Sequence, residues 1–250
     1  MKTGRILSLA LAAGALVMVW PAAAGAATHH GNVTCHGGTV HNGTYRSLRI
    51  AGACTLPNTG NVTVRHGLVV TRTGLFNAAT PAKLVVWGNV TVLHRGIAAI
   101  GCSPDVGCAE LGSDVIHGSV HAYRAWGAII HATTVGGDVI IRGGGGTMDC
   151  TRPSPIGAPF YSVVEDSTVA GNLVIRRLHS CWLGVIRNQV GGSVRLIGNR
   201  FGDPDAMEIV TNHVSGNLAC FNNNPAAQVG DSQGDQNVVL GQKRGECAAL

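Results

Sequence analysis

The chain has 250 residues, a formal net charge of +5, 36 glycines and only 12% charged residues. Lys and Arg are scattered along it, which argues against the dense basic face of a nucleic-acid-binding protein. Glycine at this level without a Gly-X-Y period is not collagen, and among Val, Leu and Ile it points to short strands joined by tight turns.

Residues 1–26 read as a secretory leader. Lys2 and Arg5 precede an apolar run from Ile6 to Trp20, and Ala24-Gly25-Ala26 supplies small residues for cleavage. No second long apolar run follows, so the mature chain is expected outside the cell, delivered by a Sec-type route, with no membrane span. Residues 27–250 are expected to form a single domain, with an atypical first coil at about 28–54 and a capping tail at about 221–250.

A turn-strand unit recurs through that domain. It appears as Gly31-Asn-Val-Thr-Cys35, Gly60-Asn-Val-Thr-Val64 and Gly88-Asn-Val-Thr-Val92, then at Gly118, Gly137, Gly171, Gly192 and Gly216. Its fullest form is Asn188-Gln-Val-Gly-Gly-Ser-Val-Arg-Leu196, echoed by Asn212-His-Val-Ser-Gly-Asn-Leu-Ala-Cys220. Within each unit apolar and variable residues alternate, the period of a strand with one face buried. The spacings vary too much for a strict short solenoid but suit an all-β parallel β-helix, in which stacked coils bury a continuous core. Glycine before each strand is expected to supply a corner with positive φ, and the asparagine beside it to form a ladder from coil to coil. Cys102 to Cys108 and Arg142 to Tyr161 interrupt the pattern as loops. Val238-Val-Leu240 is a last short strand.

Eight cysteines in an exported chain, with no Cys-x-x-Cys, read as disulfides. If sequence neighbours are also neighbours in space, the pairs are Cys35–Cys54, Cys102–Cys108, Cys150–Cys181 and Cys220–Cys247.

The repeated Asn-x-Val-x-Gly-Asn-Leu-x-Cys and the closing Cys220…Cys247 resemble a group of secreted repeat proteins of actinomycete-type bacteria. More broadly the chain is similar to right-handed parallel β-helix proteins of the pectate-lyase-like kind. The resemblance implies a right-handed parallel β-helix and export; it carries over no active site. It raises the alternative of a polysaccharide lyase or hydrolase, with Asp203, Asp205 and Glu208 as the densest acidic group, an arginine among Arg142, Arg176, Arg177 and Arg195 as base and Ca²⁺ as the lyase's cofactor. Against that stands the turn chemistry of Gly202-Asp-Pro-Asp205. No Asp-Asp pair, Gly-His-Gly or Arg-x-Pro-x-x-Arg supports the enzyme.

Tyr123, Arg124 and Trp126 are the candidate ligand-binding residues, two rings and a cation able to meet a sugar chain, although strand alternation does not place them on one flat platform. His29, His30, His36, His41, His117 and His121 raise metal binding, but their scatter assigns no metal site. Thr34, Thr63 and Thr91 fall in the same slot of their units, as an ice-binding array requires. The expectation is therefore a non-enzymatic structural or binding protein of the cell envelope or extracellular space that contacts polysaccharide, without a cofactor.

Overall fold

Short strands with one apolar edge must stack to hide it, and the computed structural model shows how they do so. The structure describes residues 29–231 and 234–250, so the expected leader at 1–26 lies outside the described residues. The strands are short and parallel and wind as a β-helix with three faces. The first face stacks Asn61–Val64, Lys83–Val86, Asp114–Ile116 and their successors. The second stacks Leu68–Val70, Val90–Val92, Val120–Tyr123, Val139–Arg142, Leu173–Arg176, Val194–Ile197 and Leu218–Phe221. The third runs from Gly38–Thr39 to Glu208–Val210. Near the amino end the first two faces are continuous. The long strand Gly43–Ile50 pairs with Asn61–Val64 through its first half and with Leu68–Val70 through its second.

Alternation does the rest. In Asn61–Val64, Val62 and Val64 point inward and are fully buried, as are Leu84 and Val86 one coil on. Each such side chain contributes about 1.5–3 kcal/mol on burial. The file begun by Val64 and Val86 continues through Ile116, Val135, Val169 and Val190 to Val214, and the matching file of the second face ends at Leu218 and Cys220. Cys247 and Leu250 pack on the same core at the carboxyl end. There the strands Val238–Val239 and Lys243–Gly245 extend the first and second faces. Disulfides join Cys35 to Cys54, Cys102 to Cys108, Cys150 to Cys181 and Cys220 to Cys247.

The register corrects the reading of the repeat in two ways. Most units lie on the second face, but Asn61–Val64 lies on the first, where Thr63 sits beside Thr44 and Val85. Thr34 and Thr91, on the second face, neighbour Arg49 and then Val69 and His121. The three threonines therefore form no single array. One coil takes from 15 residues, Val33 to Leu48, to 34, Val139 to Leu173.

The second correction concerns glycine. Gly118, Gly171, Gly192 and Gly216 do not adopt positive φ. They are needed because the coil below leaves no room. A Cβ on Gly118 would stand 2.3 Å from the Asn89 Oδ1, and one on Gly192 would stand 2.6 Å from the Gly171 carbonyl oxygen. Gly60 does adopt positive φ, and further positive-φ corners are held both by glycines such as Gly101, Gly143 and Gly198 and by residues with side chains such as Arg124, Asp166 and Arg177.

Each of the three corners carries a hydrogen-bonded ladder. Between the first and second faces the Ser119 N–H donates to Asn89, Asp138 N–H to Ser119, and Asn172 N–H to Asp138. Ser193, Asn217 and Gln242 continue it. Between the second and third faces, Leu178 N–H donates to Asn199 and Asn199 to Asn223, and the Glu246 carboxylate accepts from Asn223. The third ladder, between the third and first faces, is the most deeply buried. Ser167 N–H donates to Asn188, Asn188 to Asn212 and Asn212 to Asn237, while each asparagine Nδ2 also donates to a carbonyl of an earlier coil. The asparagine expected to form a ladder does so, and the second asparagine of the repeat forms another.

Asp114 stands in the same inward file as Asn188 and Asn212. Its carboxylate accepts the Leu84 N–H at 2.8 Å and the Gly101 N–H at 3.1 Å. Burial pushes its pKa up to about 7 despite those two bonds and nearby Lys83, which pull it down.

Two outcomes follow from the ladders. Asn212→Ala removes acceptor and donors together and strands buried groups on both neighbours, so it should cost about 2–4 kcal/mol, read from the urea midpoint. At Asp114 the native state holds a proton that the unfolded chain releases above its ordinary pKa. Stability from this group is therefore full below about pH 4 and falls as pH rises toward 7, by about 2–3 kcal/mol between pH 5 and 7. Asp114→Asn should abolish that slope in urea titrations at the two pH values.

Candidate functional site

The corner between the second and third faces gathers four of the chain's arginines. Val70, Val92, Ala122, Ile141 and Ile175 are register partners on successive coils. Two residues beyond each stand Arg72, His94, Arg124, Gly143 and Arg177. Coils rise by about 4.8 Å, so these side chains emerge in a file along the long axis. Arg142, one residue before Gly143, adds a fourth guanidinium on the same side.

These groups line a groove. One part, of about 600 Å³, is walled by Arg72, His94, Tyr123, Arg124, Arg142 and Arg177. It opens into a second part of about 520 Å³ that shares His94, Arg124 and Arg177 and adds Trp126, Thr147, Met148 and His179. Among the described residues no acidic side chain lines either part. Among the described residues none of the four arginines forms an ion pair. Partial desolvation, then the fields of Arg72, Arg95 and Arg124, hold the His94 imidazole below its ordinary pKa.

The aromatic residues stand on the two sides of Arg124. Tyr123 is 38% exposed and meets His121 edge-on at 5.8 Å. Trp126 meets Phe160 edge-on at 5.5 Å, and the Arg95 guanidinium lies 5.2 Å above its ring. Phe160 closes the inserted loop at 143–160, so that insertion forms one wall of the groove. Tyr123, Arg124 and Trp126 thus share one groove, as two ring edges and a cation around a channel rather than as one flat platform.

The backbone marks these arginines further. Arg124 and Arg177 have φ of 52° and 54°, the left-handed region, where Gly143 and Gly198 stand on neighbouring coils. Arg95 is held likewise at 65°. A side chain there costs about 1–2 kcal/mol relative to the right-handed region, a cost the chain also carries at other corner residues such as Ala132, Asp166, Arg187 and Thr211.

The acidic candidates lie elsewhere. The Asp203 Oδ1 accepts the Asp205 N–H at 3.0 Å, a turn contact, and its carboxylate sits beside the Cys150 and Cys181 sulfurs. Asp205 and Glu208 converge with Asp231, which the sequence did not single out. Glu208 is buried and accepts the Trp182 Nε1–H at 3.1 Å. Among the described residues no arginine pairs with Asp203 or Asp205.

His117 stacks on the exposed Trp87 at 4.1 Å. Among the described residues, none of His30, His36, His41, His117 and His121 joins a group of three ligating side chains. The histidine that does is His131, a strand residue whose partners only the coil register brings together. Of the groove's arginines, Arg72 was missed, and Arg142 and Arg177 were weighed only as a lyase's base, because no linear motif joins residues whose nearness depends on coil register. Comparison with protein-family models, curated proteins and solved structures gives no match to this chain.

The strained corner yields a direct expectation. Arg124→Gly relieves the left-handed side chain while raising unfolded-chain entropy, so stability should be unchanged or rise by up to about 1 kcal/mol. Arg124→Ala keeps the strain and should be the less stable of the two in thermal melts.

Proposed function

We propose that the protein is an exported, non-enzymatic binding protein that grips a linear acidic polysaccharide along the groove. The observation that carries this reading is the file of cations without acidic partners, repeating along the axis, with Tyr123 and Trp126 beside it. Guanidiniums that recur along the long axis match a chain that also repeats its charge, and sugar faces pack on ring edges and faces. Export is supported by the apolar leader pattern and by four disulfides, which persist in oxidising compartments. No helix among the described residues is long and apolar enough to cross a membrane. A place in the cell envelope or the extracellular space, a bacterial source, and kinship with pectate-lyase-like β-helices are parts of the same proposal.

The ligand is expected to be held by charge and orientation rather than by enclosure, since the groove is open along its length. Its affinity should fall as salt screens the cations. A bound polyanion favours the imidazolium form of His94, so affinity for a sulfated glycan, which does not itself titrate, should rise as pH falls from 8 to 5.

The test is co-sedimentation and calorimetry of the oxidised protein with polygalacturonate, a sulfated glycosaminoglycan, cellulose and single-stranded DNA. The expected result is binding to the two acidic glycans, weakened at least tenfold in Arg124→Gly/Arg177→Gly. Equal binding to cellulose, tighter binding to DNA, or full retention in that variant would sink the reading. Release of unsaturated or reducing-end products, lost in Asp205→Asn, would instead favour a lyase or hydrolase.

A further inference from the structure

A second constellation lies on the outside of the third face, under the clipped loop. His131 and Glu165 end the strands Gly127–His131 and Tyr161–Glu165 and are direct register partners on adjacent coils. Asp105 comes from the 3₁₀ turn Pro104–Val106, inside the loop closed by Cys102–Cys108. Three elements that are far apart in sequence thus deliver one imidazole and two carboxylates whose ligating atoms all lie within 4.8 Å of one another.

Two further observations point to a missing cation. His131 is only 3% exposed, yet neither ring nitrogen makes a hydrogen bond. Its Nδ1 lies 3.2 Å from the Glu165 Oε2, within ion-pair reach but out of hydrogen-bond alignment. Buried polar atoms of this kind are nearly always satisfied by something. The charge count agrees. Asp105, Glu165 and Asp166 surround a single guanidinium, Arg187. Arg187 is held by Asp166 through two bonds, Nε to Oδ1 at 2.7 Å and Nη2 to Oδ2 at 2.9 Å. Its reach to Asp105, at 3.3 Å, is the longest of its contacts and is the one a metal would replace.

We propose that His131, Glu165 and Asp105 form a binding site for a divalent transition metal of the Zn²⁺ class. One nitrogen and two oxygen ligands suit a borderline ion, whereas Ca²⁺ takes six to eight oxygens. The bound dication balances the two negative charges that Arg187 leaves over. It also fastens the loop bearing Asp105 to two coils of the solenoid, so its role is structural. This site is separate from the groove and does not rest on the polysaccharide reading.

The experiment uses untagged, oxidised, full-length mature protein stripped with a chelator. Co²⁺, then Zn²⁺, is titrated while visible d–d absorption, heat and thermal unfolding are followed. One equivalent of Co²⁺ with visible bands, displaced by Zn²⁺, and a raised unfolding temperature are expected. His131→Ala should weaken uptake at least tenfold, while Asp166→Asn retains it. Asp105→Asn, at an exposed position, should weaken uptake several-fold and serves if His131→Ala does not fold. No uptake, or uptake unchanged in both His131→Ala and Asp105→Asn, overturns the proposal; the latter result would move the metal to surface histidines or to Asp205, Glu208 and Asp231.

Discussion

Everything in this molecule depends on each coil sitting directly on the next. A parallel strand pair tolerates a slip of two residues without changing which side chains face inward, so backbone pairing alone specifies register weakly. The corner ladders remove that freedom. Asn188, Asn212 and Asn237 each accept from the coil before and donate back to it, and a slip would leave several buried amides unpartnered at once. The ladders also end sensibly. Glu246 receives the last donors of one ladder, and Gln242 gives the last N–H of another.

With register held by the corners, the faces are released from other duties. Loops can be inserted at 101–113 and 143–160 without disturbing the file of inward residues, since Val120 still meets Val90 and Leu173 still meets Val139. Both insertions are put to use. The first brings Asp105 over His131 and Glu165, and the second brings Phe160 against Trp126. The segments least like the repeat are thus the ones that build concave chemistry on an otherwise flat solenoid.

How much of this the sequence carried depends on distance along the chain. Period-two alternation is local, so strands, the parallel β-helix and a tail strand at Val238 were legible. The repeat's glycine was legible but its purpose was not: Gly192 is demanded by the carbonyl of Gly171 on the coil below, a contact that exists only after stacking. The Asn61–Val64 unit mimics its neighbours in letters yet lies on another face, because coil lengths vary and letters do not carry phase. Tyr123, Arg124 and Trp126 were found through their local concentration. Arg72 was not, and Arg142 and Arg177 entered only as a lyase's base, since their nearness to Arg124 is a property of register. The pairing of His131 with Glu165 was hidden for the same reason, across 34 residues.

The basic corner gains its meaning from what it costs. Like charges one coil apart repel, and facing like-charged pairs in a sheet are destabilising. Left-handed backbone at Arg124 and Arg177 adds strain that the glycines at 143 and 198 avoid in the same file, and Arg95 beside the file is held likewise. The fold could dispense with both costs by extending glycine or asparagine along the corner, as Asn222 shows at the carboxyl end. Partial desolvation and the arginine neighbours disfavour a further positive charge at His94, whose pKa they lower. The ladders supply the rigidity that holds the arginines in this arrangement. A bound polyanion removes the repulsion without altering the backbone, so relief of that cost on binding adds to the attraction of the individual contacts. In this structure the stabilising elements lie inside and at the corners' buried files, and unpaired like charges are gathered on one accessible edge.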